Sequence, residues 1–270
     1  MSTILFDAPI YGPVRSRRLG LSLGVNLAPA DGKICSFNCI YCECGLNEDH
    51  RTASKPPTAA EISTALDARL RQLAASGQQL DDITLAGNGE PTLNPEFPQV
   101  VDVVLRLRDQ LAPNARVTVI SNGTAAGRPA VHAALMRVDA NLFKLDTVDQ
   151  AFIEMLDQPQ GAYDVARQVE LAASFGGHVI IQTMFLTGSV RSRSVDNTGE
   201  KYVGPWLQAL ARIRPEGATI YTVARETPVA GLAKAAPEVL DGIAARVRAL
   251  DIPCTVGYLK TAKTAIVASQ

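Results

Sequence analysis

Apolar positions along the chain switch between helical spacing and short continuous runs, and each switch is marked by a polar or glycine-rich break. Ile62, Leu66, Leu70 and Leu73 recur at helical spacing within residues 59–75. Thr58 stands as N-cap before them, Glu61 three residues on completes a capping box, and Gly77 ends the helix. Residues 22–28, 83–86, 117–120, 142–145, 178–185 and 218–223 predict six strands, with a short further one at 254–258. Residues 97–111, 130–136, 150–156, 163–174, 206–213 and 237–250 predict helices. Strands alternating with helices over mostly short links make βαβ units and a parallel sheet, so the expected class is α/β. No fixed-period repeat or composition break argues for a second domain. The expectation is one core domain, residues 22–258, after a breaker-rich leader, 1–21, and before a loosely held tail, 259–270.

The polar clusters follow the strands. Residues 35–44 read CSFNCIYCEC and come after the first strand; residues 87–91 read GNGEP and come after the second. SNG (121–123) follows the third, and Lys144 and Asp146 end the fourth. Gln182 and Thr183 lie late in the fifth, and Tyr221 and Arg225 end the sixth. The C-terminal ends of parallel strands share one rim, and active sites are built there.

Cys35, Cys39 and Cys42 stand as C-x3-C-x2-C with Tyr41 before the third. Three thiolates this close can share one metal centre while leaving a position open. A structural zinc with Cys44 as fourth ligand is the alternative, since C-x-C pairs occur at metals. Cys254 reads as a small core residue. Glycines at 87 and 89 let the backbone approach a ligand closely, and the Glu90 carboxylate can accept from an ammonium group or start a helix. Arg15, Arg17 and Arg18 form either an anion clamp or a solvated basic turn. The loop 188–203, with Arg191, Arg193 and Lys201, is long for a strand-to-helix link and reads as a lid, a reader of anionic substrates or a solvated loop.

Composition narrows the picture. The 270 residues carry 26 basic and 27 acidic side chains, a formal net charge of −1, so no basic surplus marks generic nucleic-acid binding. Aromatics at 5% do not supply a stacking platform for single strands. No basic stretch leads into a long apolar core at the start, and no run approaches the ~20 apolar residues of a membrane span. Five cysteines, four of them within ten residues, are not a disulfide framework; a thiolate metal site fits a reducing cytoplasm.

Together, CSFNCIYC and the downstream GNGEP resemble the cluster loop and methionine-binding motif of radical S-adenosylmethionine enzymes, over residues 24–256 or so. Within that superfamily, GPVRSRRLGLSLGVNLAP and GNGEPTLNPEF are similar to small bacterial relatives of tRNA 4-demethylwyosine synthase. Wyosine synthases take a second cluster from additional N-terminal cysteines, and this chain has none before Cys35. The resemblance implies a single-domain partial (β/α)6 TIM-like barrel. It implies a [4Fe–4S] cluster on Cys35, Cys39 and Cys42, reduced by a donor such as flavodoxin or ferredoxin. S-adenosylmethionine would bind the open iron and be cleaved to methionine and a 5′-deoxyadenosyl radical, which takes hydrogen from a substrate. Gly87, Asn88, Gly89 and Glu90 would bind the methionine ammonium, and Ser121 and Asn122 its carboxylate or the ribose. Lys144 and Asp146 would lie over ribose or substrate, and Gln182, Thr183, Tyr221 and Arg225 would face substrate. The substrate class stays open among small molecule, RNA and protein. A tRNA-modifying enzyme, a glycyl-radical activase and a non-enzymatic zinc protein are the alternatives.

Overall fold

The structure, a computed structural model, describes residues 3–16 and 19–257. Arg17, Arg18 and the expected tail, 259–270, lie outside the described residues. In chain order the elements are β1 (Ile10–Ser16), β2 (Gly20–Val25), α1 (Ala59–Ala75), β3 (Asp82–Leu85), α2 (Phe97–Leu111) and β4 (Arg116–Ser121). There follow α3 (Pro129–Leu135), β5 (Ala140–Lys144), α4 (Gln150–Leu156), α5 (Val165–Ala173), β6 (Ile180–Met184), β7 (Leu186–Val190) and β8 (Arg193–Ser194). The last are α6 (Glu200–Ile213), β9 (Gly217–Tyr221), β10 (Leu232–Lys234), α7 (Pro237–Arg248) and β11 (Cys254–Gly257).

One sheet has the order β1-β2-β3-β4-β5-β6-β9-β11, parallel from β2 onward, with β1 antiparallel on the β2 edge. Each parallel strand from β2 to β9 is followed by helix, giving six βα units and a closing strand. This is a curled, unclosed α/β half-barrel, as expected from the (β/α)6 reading.

Side-chain alternation divides the sheet into two unlike faces. Leu23, Val25, Ile83, Leu85, Val117, Val119, Phe143, Ile181, Ala218 and Ile220 pack with the helices in one core. α1 gives that core Ile62, Leu66, Leu70 and Leu73, and its capping box forms as expected, with the Glu61 amide donating to the Thr58 hydroxyl at 3.2 Å. The alternate residues line the concave face and bond to one another: Ser22 to Thr84 at 2.6 Å, Gln182 to Tyr221 at 3.0 Å, Thr219 to Thr255 at 2.9 Å. A parallel sheet packed on both faces is apolar on both. Here the concave face is mixed, polar at Ser22, Thr84, Lys144, Gln182 and Thr219 and apolar at Ile120, Leu142 and Ile180.

Trp206 of α6 is fully buried, sits edge-on to Phe185 at 5.3 Å, and donates its indole N–H to the Leu145 carbonyl at 3.2 Å. Trp206→Ala is expected to cost about 3–5 kcal/mol in urea unfolding, from lost burial and the cavity left behind.

Three features differ from expectation. The stretch read as a leader contributes β1 and the start of β2. Pro13 and Gly12 obscure β1 in the sequence, but an edge strand tolerates proline, and the pairing register slips between Tyr11 and Val14 to absorb them. The long loop is ordered: β7 and β8 form a hairpin whose turn residues Arg191 (φ 49°) and Ser192 (φ 63°) are left-handed, and β10 completes a three-stranded sheet. α6 also begins earlier, at Glu200, inside the expected loop. That small sheet closes a second apolar cluster, in which Leu186 and Val195 meet Ile40, Tyr41, Phe152, Leu156, Met184 and Val223. Among the described residues no helix is long and apolar enough to cross a membrane.

Candidate functional site

The cysteine loop spans the C-terminal rim of the half-barrel and is fastened at both ends. At the β3 end, Ile34 forms a parallel bridge with Gly89. The Ile34 amide donates to the Asn88 carbonyl at 3.1 Å, and the Glu90 amide donates to the Ile34 carbonyl at 2.9 Å. Gly89 sits at φ 127°, and a Cβ there would overlap the Ile34 carbonyl, so only glycine lets the two strands meet. At the far end, the Ile40 amide donates to the Leu156 carbonyl at 2.9 Å, and the Val229 amide to the Ile40 carbonyl at 3.3 Å. Two successive turns, Cys42 N–H to Cys39 carbonyl at 3.0 Å and Gly45 N–H to Cys42 carbonyl at 2.9 Å, fold the cysteines together.

The thiols are not equivalent. Burial, joined by the Glu90 charge, pushes Cys35 up to about 12. Its sulfur accepts from the Phe37 amide at 3.4 Å and the Asn122 side-chain amide at 3.7 Å. Burial also pushes Cys39 well above the ordinary thiol range, with the Lys144 charge opposing. Cys42 is lowered, chiefly by a hydrogen bond from Cys44, and Cys44 is raised by the same bond and by burial. Cys44 also lies against the Gly87 carbonyl at 3.4 Å. Buried Lys33 donates to the Gly45 carbonyl at 2.7 Å and adds positive charge beside Cys42.

Among the described residues, no three His, Cys, Asp or Glu side chains close on a point that would hold a single metal ion. The donor chemistry nevertheless suits a thiolate-held cluster. Cys35, Cys39 and Cys42 feel one another's charge, sit on one backbone-locked loop, and offer soft sulfur alone. N–H groups aimed at the Cys35 sulfur are the partners that tune such centres.

In the motif after β3, the Asn88 and Glu90 side chains bond neighbouring segments. The Asn88 side chain accepts from the Phe6 amide at 2.8 Å and donates to the Phe6 and Pro29 carbonyls at 2.9 and 3.0 Å. It clasps the N-terminal segment. The Glu90 carboxylate is bonded through both oxygens: one accepts from the Ser121 hydroxyl at 2.8 Å and the Thr92 amide at 3.1 Å, the other from the Asn122 amide at 2.6 Å. Burial pushes its pKa up while these donors pull it back. Glu90, Ser121 and Asn122 therefore tie the β3 and β4 turns to each other. Asn122 bonds Ser36 at 2.9 Å besides the Cys35 sulfur, so it links the β4 turn to the cysteine loop.

Lys144 and Asp146 are brought together, but with each other. Lys144 bonds the Asp146 carboxylate and the Tyr41 hydroxyl, and lies 3.0 Å from Asp157. The Tyr41 hydroxyl in turn donates to Asp146. Burial lowers the Lys144 pKa, but the two carboxylates outweigh it and hold the ammonium protonated well above the usual range. Asp157 escaped the sequence reading. Its signal was an acid at the C-terminal end of helix 150–156, where the helix dipole disfavours negative charge.

On the concave wall, Lys144, Gln182, Thr219 and Thr255 stand in one row by strand register. Gln182 bonds Tyr221, and its carbonyl oxygen is buried without a partner among the described residues. Thr183 does not belong to this wall: alternation turns it to the helix side, where its hydroxyl donates to the Leu145 carbonyl at 2.8 Å. Arg225 is exposed and pairs with Glu43, between Cys42 and Cys44. Arg15 pairs in register with Leu21, at the start of β2 and the opposite end of the sheet from the thiols, so antiparallel β1 carries it away from the rim. A depression of about 240 Å³ lined by Leu70, Leu73, Leu80 and Leu111 lies where α1 and α2 end, on that opposite side.

No family model matches the chain. It is similar to UPF0026 protein MJ1312 of Methanocaldococcus jannaschii, 31% identical over 202 residues, 70% of this chain and 58% of that protein. It is also similar to a UPF0026 protein of Helicobacter pylori strain J99, 29% identical over 215 residues, 78% of this chain and 66% of that one. The chain thus spans 58–66% of the length of these two relatives. Among solved structures it is similar to a radical SAM methyltransferase from Sphaerobacter thermophilus, with a TM-score of 0.65 and 18% identity over 88% of this chain and 66% of that one. That likeness gives the fold. The half-barrel is thus of the kind seen in that radical SAM methyltransferase, with the C-x3-C-x2-C loop across its rim.

Proposed function

We propose that this chain is an enzyme that cleaves S-adenosylmethionine reductively and uses the resulting 5′-deoxyadenosyl radical to take hydrogen from a substrate held against the concave wall. The observation that carries this reading is the Ile34–Gly89 bridge, which puts a three-thiol loop and a glycine turn side by side on one rim. Cys35, Cys39 and Cys42 would hold a [4Fe–4S] cluster, which supplies the electron when a donor such as flavodoxin or ferredoxin reduces it.

The chain's own residues bind and orient. The backbone at Gly87–Gly89 is the surface for the methionine end of S-adenosylmethionine, and Asn122 lies between that surface and Cys35. Glu90 and Ser121 brace both turns rather than touching the ligand. Gln182 and Tyr221 are the substrate-facing pair, since the Gln182 oxygen is a buried acceptor with capacity to spare. Burial of the rim under the small sheet and the second apolar cluster keeps water from the reacting atoms.

The Cys44→Ala variant tests the three-thiol assignment. Iron and sulfide content after anaerobic reconstitution is expected to match the parent chain, because the Cys44 thiol is bonded to the Gly87 carbonyl. Loss of the metal would show a four-thiol site and overturn the reading. Deuterium transfer from labelled extract into 5′-deoxyadenosine would then identify the substrate pool.

A further inference from the structure

A cluster of buried charges lies under the cysteine loop. The Lys144 side chain is 12% exposed, and those of Asp146 and Asp157 are fully buried. The ammonium lies 4.7 Å from the centre of the Tyr41 ring, which directly precedes Cys42. Asp146 also accepts from the Met184 amide at 2.8 Å. Asp157 reaches the loop twice: its backbone carbonyl accepts from the Asn38 amide at 2.9 Å, and its carboxylate lies 3.3 Å from the Tyr41 hydroxyl.

For stability alone this is a poor arrangement. Buried ion pairs gain little over apolar packing of the same shape, and one Asp157 oxygen has no conventional partner among the described residues. What the arrangement does is place a cation, paired with two carboxylates, beside Cys39, in a low-dielectric interior where charge acts strongly. A centre held by these thiols becomes one charge more negative on reduction. A neighbouring cation favours that change and a neighbouring carboxylate opposes it.

We propose that Lys144, balanced by Asp146 and Asp157, is a positioning residue that sets how readily the centre on Cys35, Cys39 and Cys42 accepts an electron. The inference rests on the cluster reading above. Tyr41 couples the charges to the loop, because its hydroxyl is shared between Lys144 and Asp146 while its backbone lies next to Cys42.

The test uses the full chain reconstituted anaerobically, with Lys144→Gln and Asp157→Asn beside the parent. Iron and sulfide per chain are measured first, then the reduction potential by a titration followed through the paramagnetic signal of the reduced cluster. Lys144→Gln is expected to shift the potential negative and Asp157→Asn to shift it positive, with iron content kept. Unchanged potentials, or shifts of the same sign, would overturn the proposal. Where Lys144→Gln fails to fold or load, the isosteric Asp157→Asn decides alone: a positive shift supports the proposal, and no shift or a negative one ends it. Failure of the parent chain to assemble any cluster is a separate result, which removes the cluster reading and this inference with it.

Discussion

Serine in place of Cys35, Cys39 or Cys42, singly, is expected to abolish cluster assembly and S-adenosylmethionine cleavage while leaving the fold intact. Serine keeps the shape of cysteine and removes the ionisable, soft sulfur that iron requires. The loop itself is held by backbone bonds at Ile34 and Ile40, which do not involve the sulfurs. Stability without metal should therefore change by less than about 1 kcal/mol, the range for substitutions that break no packing or network. Iron and sulfide analysis, with urea unfolding as control, checks this. A full complement of iron in any of the three variants would remove that cysteine from the ligand set.

Gly89→Ala should damage the same site without touching a sulfur. The position has φ 127°, which an L side chain rarely adopts, and the new methyl would overlap the Ile34 carbonyl. Relieving that overlap breaks the bonds on either side of Ile34, at 3.1 and 2.9 Å, and Cys35 is the next residue. A cost of about 2–4 kcal/mol is expected from strain plus lost buried bonds. Cluster loading should fall with it. Gly161→Ala, with open space around the added carbon, is the control and should be near neutral. Equal stability of the two variants would show that the bridge does not hold the loop.

The barrel was legible because its units obey local rules. Helices 59–75, 97–111 and 150–156 have the bounds their patterns predict, and Thr58 caps as its spacing requires. β1 was hidden by Gly12 and Pro13, and β7, β8 and β10 by their polar composition; long-range pairing, rather than local pattern, makes them strands. The three thiols were legible from spacing. The bracing bonds of Glu90 and Asn88 were not, since their partners Ser121, Asn122 and Phe6 come from distant parts of the chain. Thr183 could have been set aside sooner, because strand alternation must turn it away from Gln182. Lys144 and Asp146 were found as a pair at a strand end, but Asp157, which completes their cluster, arrives from a different element.

The most direct measurement is 5′-deoxyadenosine released when the anaerobically reconstituted chain is given S-adenosylmethionine and a strong one-electron reductant. The account predicts 5′-deoxyadenosine and methionine from the parent chain and neither from the Cys39→Ser variant. A chain that binds zinc in place of an iron–sulfur cluster, or that carries the cluster and leaves S-adenosylmethionine intact on reduction, would contradict it.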